Sequence, residues 1–245
     1  MSAAGMAWNQ FRFERKMFWR NPSAAFFSFL LPVLFLVLIA SVYGATAKDL
    51  EILEPGLAGM AVMSTTFIAL TYSVTFNREQ GILKRVRGTP LPPGAYFAGV
   101  IGNAVANAVL QVALVIAVGH LAYGGDLPRN WIELIVFTIV GVATFASLGM
   151  AFAQVIPNFD SAPAYTNAVF LPMIFISGVF YSSRSLPAAL DVIAKVLPLR
   201  HVVDGLHAAL VTGASLADSL DALGILFAWL AVGLFATFRF FRWEA

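Results

Sequence analysis

The chain has 245 residues, 60% of them hydrophobic and only 11% charged, against about a quarter charged in an ordinary soluble domain. That balance excludes a water-soluble globule. The formal charge of +2 decides little, because in a membrane protein the placement of Lys and Arg carries the information. Small basic clusters beside apolar runs offer no broad face to nucleic acid. No cysteine is present, which removes disulfides, thiolate catalysis and cysteine metal sites.

Residues 1–20 carry Arg12, Arg15, Lys16 and Arg20 among Trp8, Phe11, Phe18 and Trp19. At helical spacing the four aromatics share one side, although Arg15 intrudes. The stretch reads as an interfacial helix along the headgroups, the alternative being an ordinary basic flank. A hydrocarbon layer about 30 Å thick needs ~20 helical residues, and the gaps between charged residues mark six such runs. They hold 27 residues between Arg20 and Lys48, 23 between Glu54 and Arg78, 38 between Arg87 and Asp126, 26 between Glu133 and Asp160, 23 between Asp160 and Arg184, and 17 between Asp221 and Arg239. Backbone groups in lipid must pair within their own segment, so the runs are expected to be helices. The first, Ser23 to Gly44, is followed by Ala45-Thr46-Ala47 and so imitates a secretory signal. Its apolar run is too long for one, and an uncleaved span is expected, with Pro22 suited to the first turn.

Lys and Arg counted on alternate sides give ten on one (Arg12, Arg15, Lys16, Arg20, Arg78, Lys84, Arg85, Arg87, Arg239, Arg242) and five on the other (Lys48, Arg129, Arg184, Lys195, Arg200). The positive-inside rule then places both termini and the 77–93 loop in the cytoplasm. Span two, roughly 55–76, is rich in hydroxyls, and span three repeats Asn103, Asn107 and Gln111 every four residues on one stripe. Such groups bond neighbouring helices or line a path. In span four, roughly 131–156, Gly141, Ser147 and Gly149 permit close helix approach. Pro172 should kink span five, roughly 163–182. Between the fifth span and the sixth, about 220–240, Leu186, Leu190, Ile193 and Leu197 fall on one helix face, with Asp191 and Lys195 paired four apart. A second piece, Val202, Val203, Leu206 and Leu210, stops near Gly213. Two short helices that dip into or lie on the outer leaflet are expected over 184–213. Arg239 to Ala245 makes a basic-aromatic tail.

Chemistry is sparse. None of the long apolar runs has a charge in its central part, which disfavours a proton- or ion-coupled carrier. No phosphate-binding G-x-x-x-x-G-K-[ST] loop occurs, so any active transport takes its energy from a partner. His201, Asp204 and His207 spread over about 120° of a helix, poor convergence for a metal. Ser177-Gly178 hints at an intramembrane serine enzyme, without the flanking Gly or a later intramembrane His.

With these features in place, the chain resembles the membrane subunits of ABC-2 type exporters, the daunorubicin-resistance-like drug permeases among them. The likeness covers nearly the whole length. It rests on the basic flank before span one, on Arg78 to Arg85 followed by Thr89-Pro90-Leu91, and on Phe175 to Tyr181 through Leu197-Pro198-Leu199 to His201 and Leu206. The resemblance implies an all-α integral membrane protein of the prokaryotic inner membrane. Its single domain, 1–245, would have six transmembrane helices, an N-terminal interfacial helix and re-entrant outer helices before the last span. It implies pairing with a second copy or a homologous permease, and a separate ATP-binding cassette subunit that holds ATP and Mg, this chain having no cofactor of its own. Arg78, Glu79, Gly81, Leu83, Lys84, Arg85 and Arg87 would then contact the ATPase. Thr65, Thr66, Tyr72, Asn167, Phe170 and Ser177 would line the path. The expected cargo is a hydrophobic or amphipathic compound such as a drug or lipid-like molecule, with a lipid-linked glycan as the alternative and an intramembrane enzyme behind it.

Overall fold

The computed structural model describes residues 2–43, 47–181 and 187–242. Ala45, Thr46, Arg184, Leu186 and the end of the basic-aromatic tail lie outside them. All regular elements among the described residues are helical, as lipid requires of backbone that cannot reach water.

Helix α1 (Ala3–Arg20) opens on Ser2, whose hydroxyl accepts from Gly5 N–H, and α2 (Pro22–Tyr43) starts on a proline that needs no N–H partner there. The two meet at a 74° bend. Next come α3 (Ala47–Met63), a π-helical turn (Ser64–Ile68) and α4 (Ala69–Glu79), continuous over 31 residues from Asp49 to Glu79. The wide turn has a local cause. Ser64 and Thr65 donate to the Ala61 carbonyl at 3.1 and 2.7 Å, and Thr66 donates to Val62 at 2.6 Å. Three successive hydroxyls compete with the backbone for the same acceptors, which favours the looser π geometry.

Short α5 (Ile82–Arg87) leads to α6 (Pro93–Tyr123), α7 (Trp131–Phe152), a single 3-10 turn (Phe159–Ser161) and α8 (Ala162–Ile176). The chain closes with α9 (Ala188–Ala194), α10 (Pro198–His207) running into a second π turn (Ala208–Thr212), and α11 (Leu220–Phe240). Among the described residues four helices are long and apolar enough to cross a membrane, Asp49–Glu79, α6, α7 and α11, and the bent pair α1 and α2 makes a fifth. Over the fifth expected span, 163–182, the described residues form only α8, 15 residues long, about 22 Å at 1.5 Å per residue. It stops because Gly178 turns the chain with φ of 79°, a conformation open to glycine.

Helix α7 is the packing centre, and its small residues do what their spacing suggests. A Cβ on Gly149 would sit 2.8 Å from the Phe67 carbonyl oxygen, and one on Gly141 3.0 Å from Val202. Against α11, Thr144 donates to the Leu226 carbonyl at 3.2 Å and Thr237 to that of Ser147 at 3.1 Å. Phe137, Phe145, Leu57, Met60, Val202 and Leu206 form the main core. A smaller cluster at the α5 end joins Leu70, Val74, Leu83, Tyr96, Val100 and Met150.

Helix α9 carries the expected Asp191–Lys195 ion pair, Nζ to Oδ2 2.7 Å. Its expected apolar face does not turn inward: Leu190 and Ile193 stay exposed and Ala194 is buried instead. Helix α10 is buried deeply. Val203 packs on Gly59, Val202 on Gly141, and Gly205 lies against the Phe137 ring. Further along, the Ala209 carbonyl accepts the N–H groups of Arg129 and Asn130, each at 3.0 Å, at the start of α7. The α9–α10 turn is tied to the middle of α11, where the Trp229 indole N–H donates to the Val196 carbonyl at 2.7 Å. Buried His201 donates from Nε2 to the Lys195 carbonyl at 2.8 Å, and Asp204 pairs with Arg200, so the two side chains are engaged by different partners. Beyond α10, the Ser215 N–H and hydroxyl donate to the Asp218 carboxylate at 3.0 and 2.8 Å and hold its pKa below the usual carboxylate range.

Candidate functional site

The 77–93 loop folds around two glycines and three prolines. After α4 ends at Glu79, Gly81 adopts φ 65°, ψ 15°, the left-handed region where a side chain is strained. The reversal lets α5 begin at once. Leu83 is fully buried among Leu70, Val74, Tyr96 and Met150 of its own chain, while Lys84, Arg85 and Arg87 are exposed. Gly88 and the Thr89 hydroxyl, which donates to Val86 at 2.7 Å, close α5. Pro90, Pro92 and Pro93 then fix the approach to α6.

Arg78 has a different environment from the other basic residues of the loop. It is only 7% exposed, and it donates from Nη1 to the Ala153 carbonyl at 3.0 Å and from Nη2 to the Ile156 carbonyl at 2.6 Å. Ala153 caps the C-terminal end of α7, where the carbonyls have no partner within the helix. Next to it, the Glu79 carboxylate accepts the Phe159 N–H at 2.6 Å, and the Phe159 ring meets Phe76 edge-on at 5.3 Å. The end of α4 is thus clamped to the α7–α8 connection. Of the seven loop residues singled out from sequence, three basic ones face outward, Arg78 and Leu83 face inward, Gly81 shapes the turn, and Glu79 is bound to Phe159.

Two of the cavities among the described residues bear on a path through the bundle. One, about 610 Å³, is walled by α1, α2, the first π turn, α4 and α6. Its polar lining includes Ser28, Thr65, Tyr72, Asn103, Asn107 and Gln111. Arg15 donates to Asn107 Oδ1, and Gln111 Nε2 donates to the Ser28 carbonyl at 3.0 Å, so the amide stripe of α6 holds α1 and α2 in place. Asn103 Oδ1 and Gln111 Oε1 are buried with no donor. The other cavity, about 520 Å³, is apolar, lies between α7, α8 and α11, and reaches from Leu197, Pro198 and Trp229 to Gln154 and Arg242.

Of the six residues expected along a path, Thr65 and Tyr72 line the polar cavity. Thr66 is sealed inside, bonded to Val62. Asn167 is exposed on α8, Phe170 packs in the core, and Ser177 is buried with its hydroxyl unpartnered. The structure does not bring these four to the cavity. Sequence reasoning missed Ser28 and Glu14 as wall residues; nothing in their local pattern marks them.

The model of the ABC-2 type transporter family matches residues 8–211. The chain is 29% identical over 187 residues to nodulation protein J of Rhizobium leguminosarum bv. viciae, covering 74% of this chain and 69% of that protein. It is 27% identical over 190 residues to nodulation protein J of Neorhizobium galegae, covering 76% and 70%. It is 21% identical over 178 residues to the inner membrane transport permease YadH of Escherichia coli (strain K12), covering 70% and 69%.

Proposed function

Because the chain belongs to the ABC-2 type transporter family, made up of membrane permeases that work with an ATPase subunit and are not enzymes, we propose that it is the membrane subunit of an ATP-driven exporter. It moves a hydrophobic or amphipathic compound, drug-like or lipid-like, out of the cell. A separate ATP-binding cassette subunit binds ATP and Mg and hydrolyses the nucleotide. Two copies of the chain, or one with a homologous permease, enclose the path. In this reading α2, α3 with α4, α6, α7, α8 and α11 make six crossings of the inner membrane. Helix α1 lies at the interface, the α9–α10 hairpin re-enters from outside, and both termini and α5 are cytoplasmic.

One observation carries the proposal: α5 presents Lys84, Arg85 and Arg87 outward while Leu83 beneath it and Arg78 beside it fasten it to the bundle. Acidic groups on the ATPase would pair with the exposed cations. Force applied there reaches α4 through Gly81 and the α7–α8 connection through Arg78 and Glu79. The seven sequence-selected residues then divide between docking (Lys84, Arg85, Arg87) and transmission (Arg78, Glu79, Gly81, Leu83).

The lipid-linked glycan alternative draws support from the polar cavity. Asn103 Oδ1 and Gln111 Oε1 lack donors, and a hydroxyl-rich head group supplies them. The test is ATP hydrolysis by the ATPase partner reconstituted with this chain in liposomes. Hydrolysis is expected to rise on adding lipophilic cargo; a rate unaffected by the chain and by every cargo overturns the proposal.

A further inference from the structure

The long apolar runs carry no charge at their centres, yet the fold delivers charge there from elsewhere. The α9–α10 turn touches α11 at Trp229, nine residues after Leu220, or about 13 Å along the helix. Helix α7 gives a second, independent ruler. Ala209 bonds Asn130 at the start of α7, whereas Val202 packs on Gly141, about 16 Å further in. Both measures put the turn and the first part of α10 near the middle of a hydrocarbon layer about 30 Å thick.

Two ion pairs lie on this hairpin. On α9, Lys195 Nζ is 2.7 Å from Asp191 Oδ2, and on α10, Arg200 Nε is 2.7 Å from Asp204 Oδ2. Neither is sealed within the protein, since the Lys195 side chain is 67% exposed and that of Asp204 45%. Ionised groups at such depth face water or protein, not acyl chains. Helix α9 meanwhile exposes Val192 and Ile193 as a separate apolar face, so its charged face is distinct from a surface suited to lipid.

We infer that the Asp191–Lys195 pair, with Arg200–Asp204 beside it, lines a water-filled vestibule reaching from the outer face to mid-membrane. The vestibule gives the polar head of the cargo a charged, hydrated wall at the point where it leaves the bundle. The inference rests on the re-entrant, outward-facing reading of α9 and α10 given under the proposed function.

The absence of cysteine makes single-cysteine labelling unambiguous. Lys195→Cys, Asp204→Cys, Phe227→Cys and Asp126→Cys, each in the full chain with its partner, are treated on intact cells with a membrane-impermeant maleimide. Phe227 is exposed on α11 close in depth to Trp229, and Asp126 is exposed in the α6–α7 connection. Lys195→Cys and Asp204→Cys are expected to react at least about tenfold faster than Phe227→Cys, because a thiol in hydrocarbon neither ionises nor meets the reagent. Reaction no faster than that of Phe227→Cys, with Asp126→Cys labelled, overturns the vestibule and leaves the topology standing. If Asp126→Cys reacts only in inverted vesicles, the topology fails instead. The ratio of Lys195→Cys to Phe227→Cys in those vesicles then decides the vestibule by the same tenfold criterion.

Discussion

Arg78→Ala is expected to destabilise the protein by roughly 3–6 kcal/mol, two hydrogen bonds from a charged donor at about 1.5–3 kcal/mol each. The guanidinium is buried and holds the Ala153 and Ile156 carbonyls at 3.0 and 2.6 Å. Without it both acceptors are left in a site that water reaches poorly, at the end of a helix whose last carbonyls already lack partners. Thermal unfolding of the detergent-solubilised chain reads the effect. Arg78→Lys should recover only part of the loss, since an ammonium is a point donor and cannot span two carbonyls as a planar fork does. Full recovery by lysine would mean that charge alone, and not the two-pronged clamp, matters at this position.

A second large effect is expected from Gly56→Ala, about 1–3 kcal/mol or more from overpacking. Gly56 lies inside α3, where its dihedral angles suit any residue, so its role is one of space. An added Cβ would overlap the Val179 carbonyl oxygen and lie 2.7 and 2.8 Å from the Val179 carbonyl carbon and Cα. Those are backbone atoms, which cannot swing aside as the end of a side chain can. Helix α3 and the segment after α8 must separate for the methyl group to fit. Gly224→Ala is the matched control. It sits inside α11 with nothing within 4 Å of the place its methyl group would take, and should stabilise by up to about 1 kcal/mol through helix propensity alone. The two unfolding midpoints should therefore move in opposite directions.

Much of the helical framework is legible from the gaps between charges, because lipid enforces internal pairing over any long apolar run. The small residues Gly141 and Gly149 are legible for a related reason: only close backbone approach rewards them inside such a run. Arg78 is not. At the end of a span a buried clamp and a topology-marking charge look alike, and the carbonyls it binds lie 75 and 78 residues further along the chain. Thr65 and Thr66 show another limit. The π turn from Ser64 to Ile68 breaks the 3.6-residue periodicity, so counting by 100° steps does not tell which hydroxyl faces the cavity. The packing of α10 escapes for a third reason. Two short helices are legible over 184–213, but that Gly59, Gly141 and Gly205 make room for α10 between α3 and α7 depends on residues far apart along the chain.

The central claim is that α5 docks an ATPase through its exposed cations while Leu83 and Arg78 serve the bundle. The double variant Arg85→Glu, Arg87→Glu tests it most directly when co-purification with the ATP-binding cassette subunit, cargo-stimulated ATP hydrolysis and thermal unfolding are measured on one preparation. Both positions are exposed, so the unfolding midpoint should stay where it is, while the ATPase dissociates and stimulated hydrolysis is lost. An ATPase that remains bound and fully stimulated would contradict the claim.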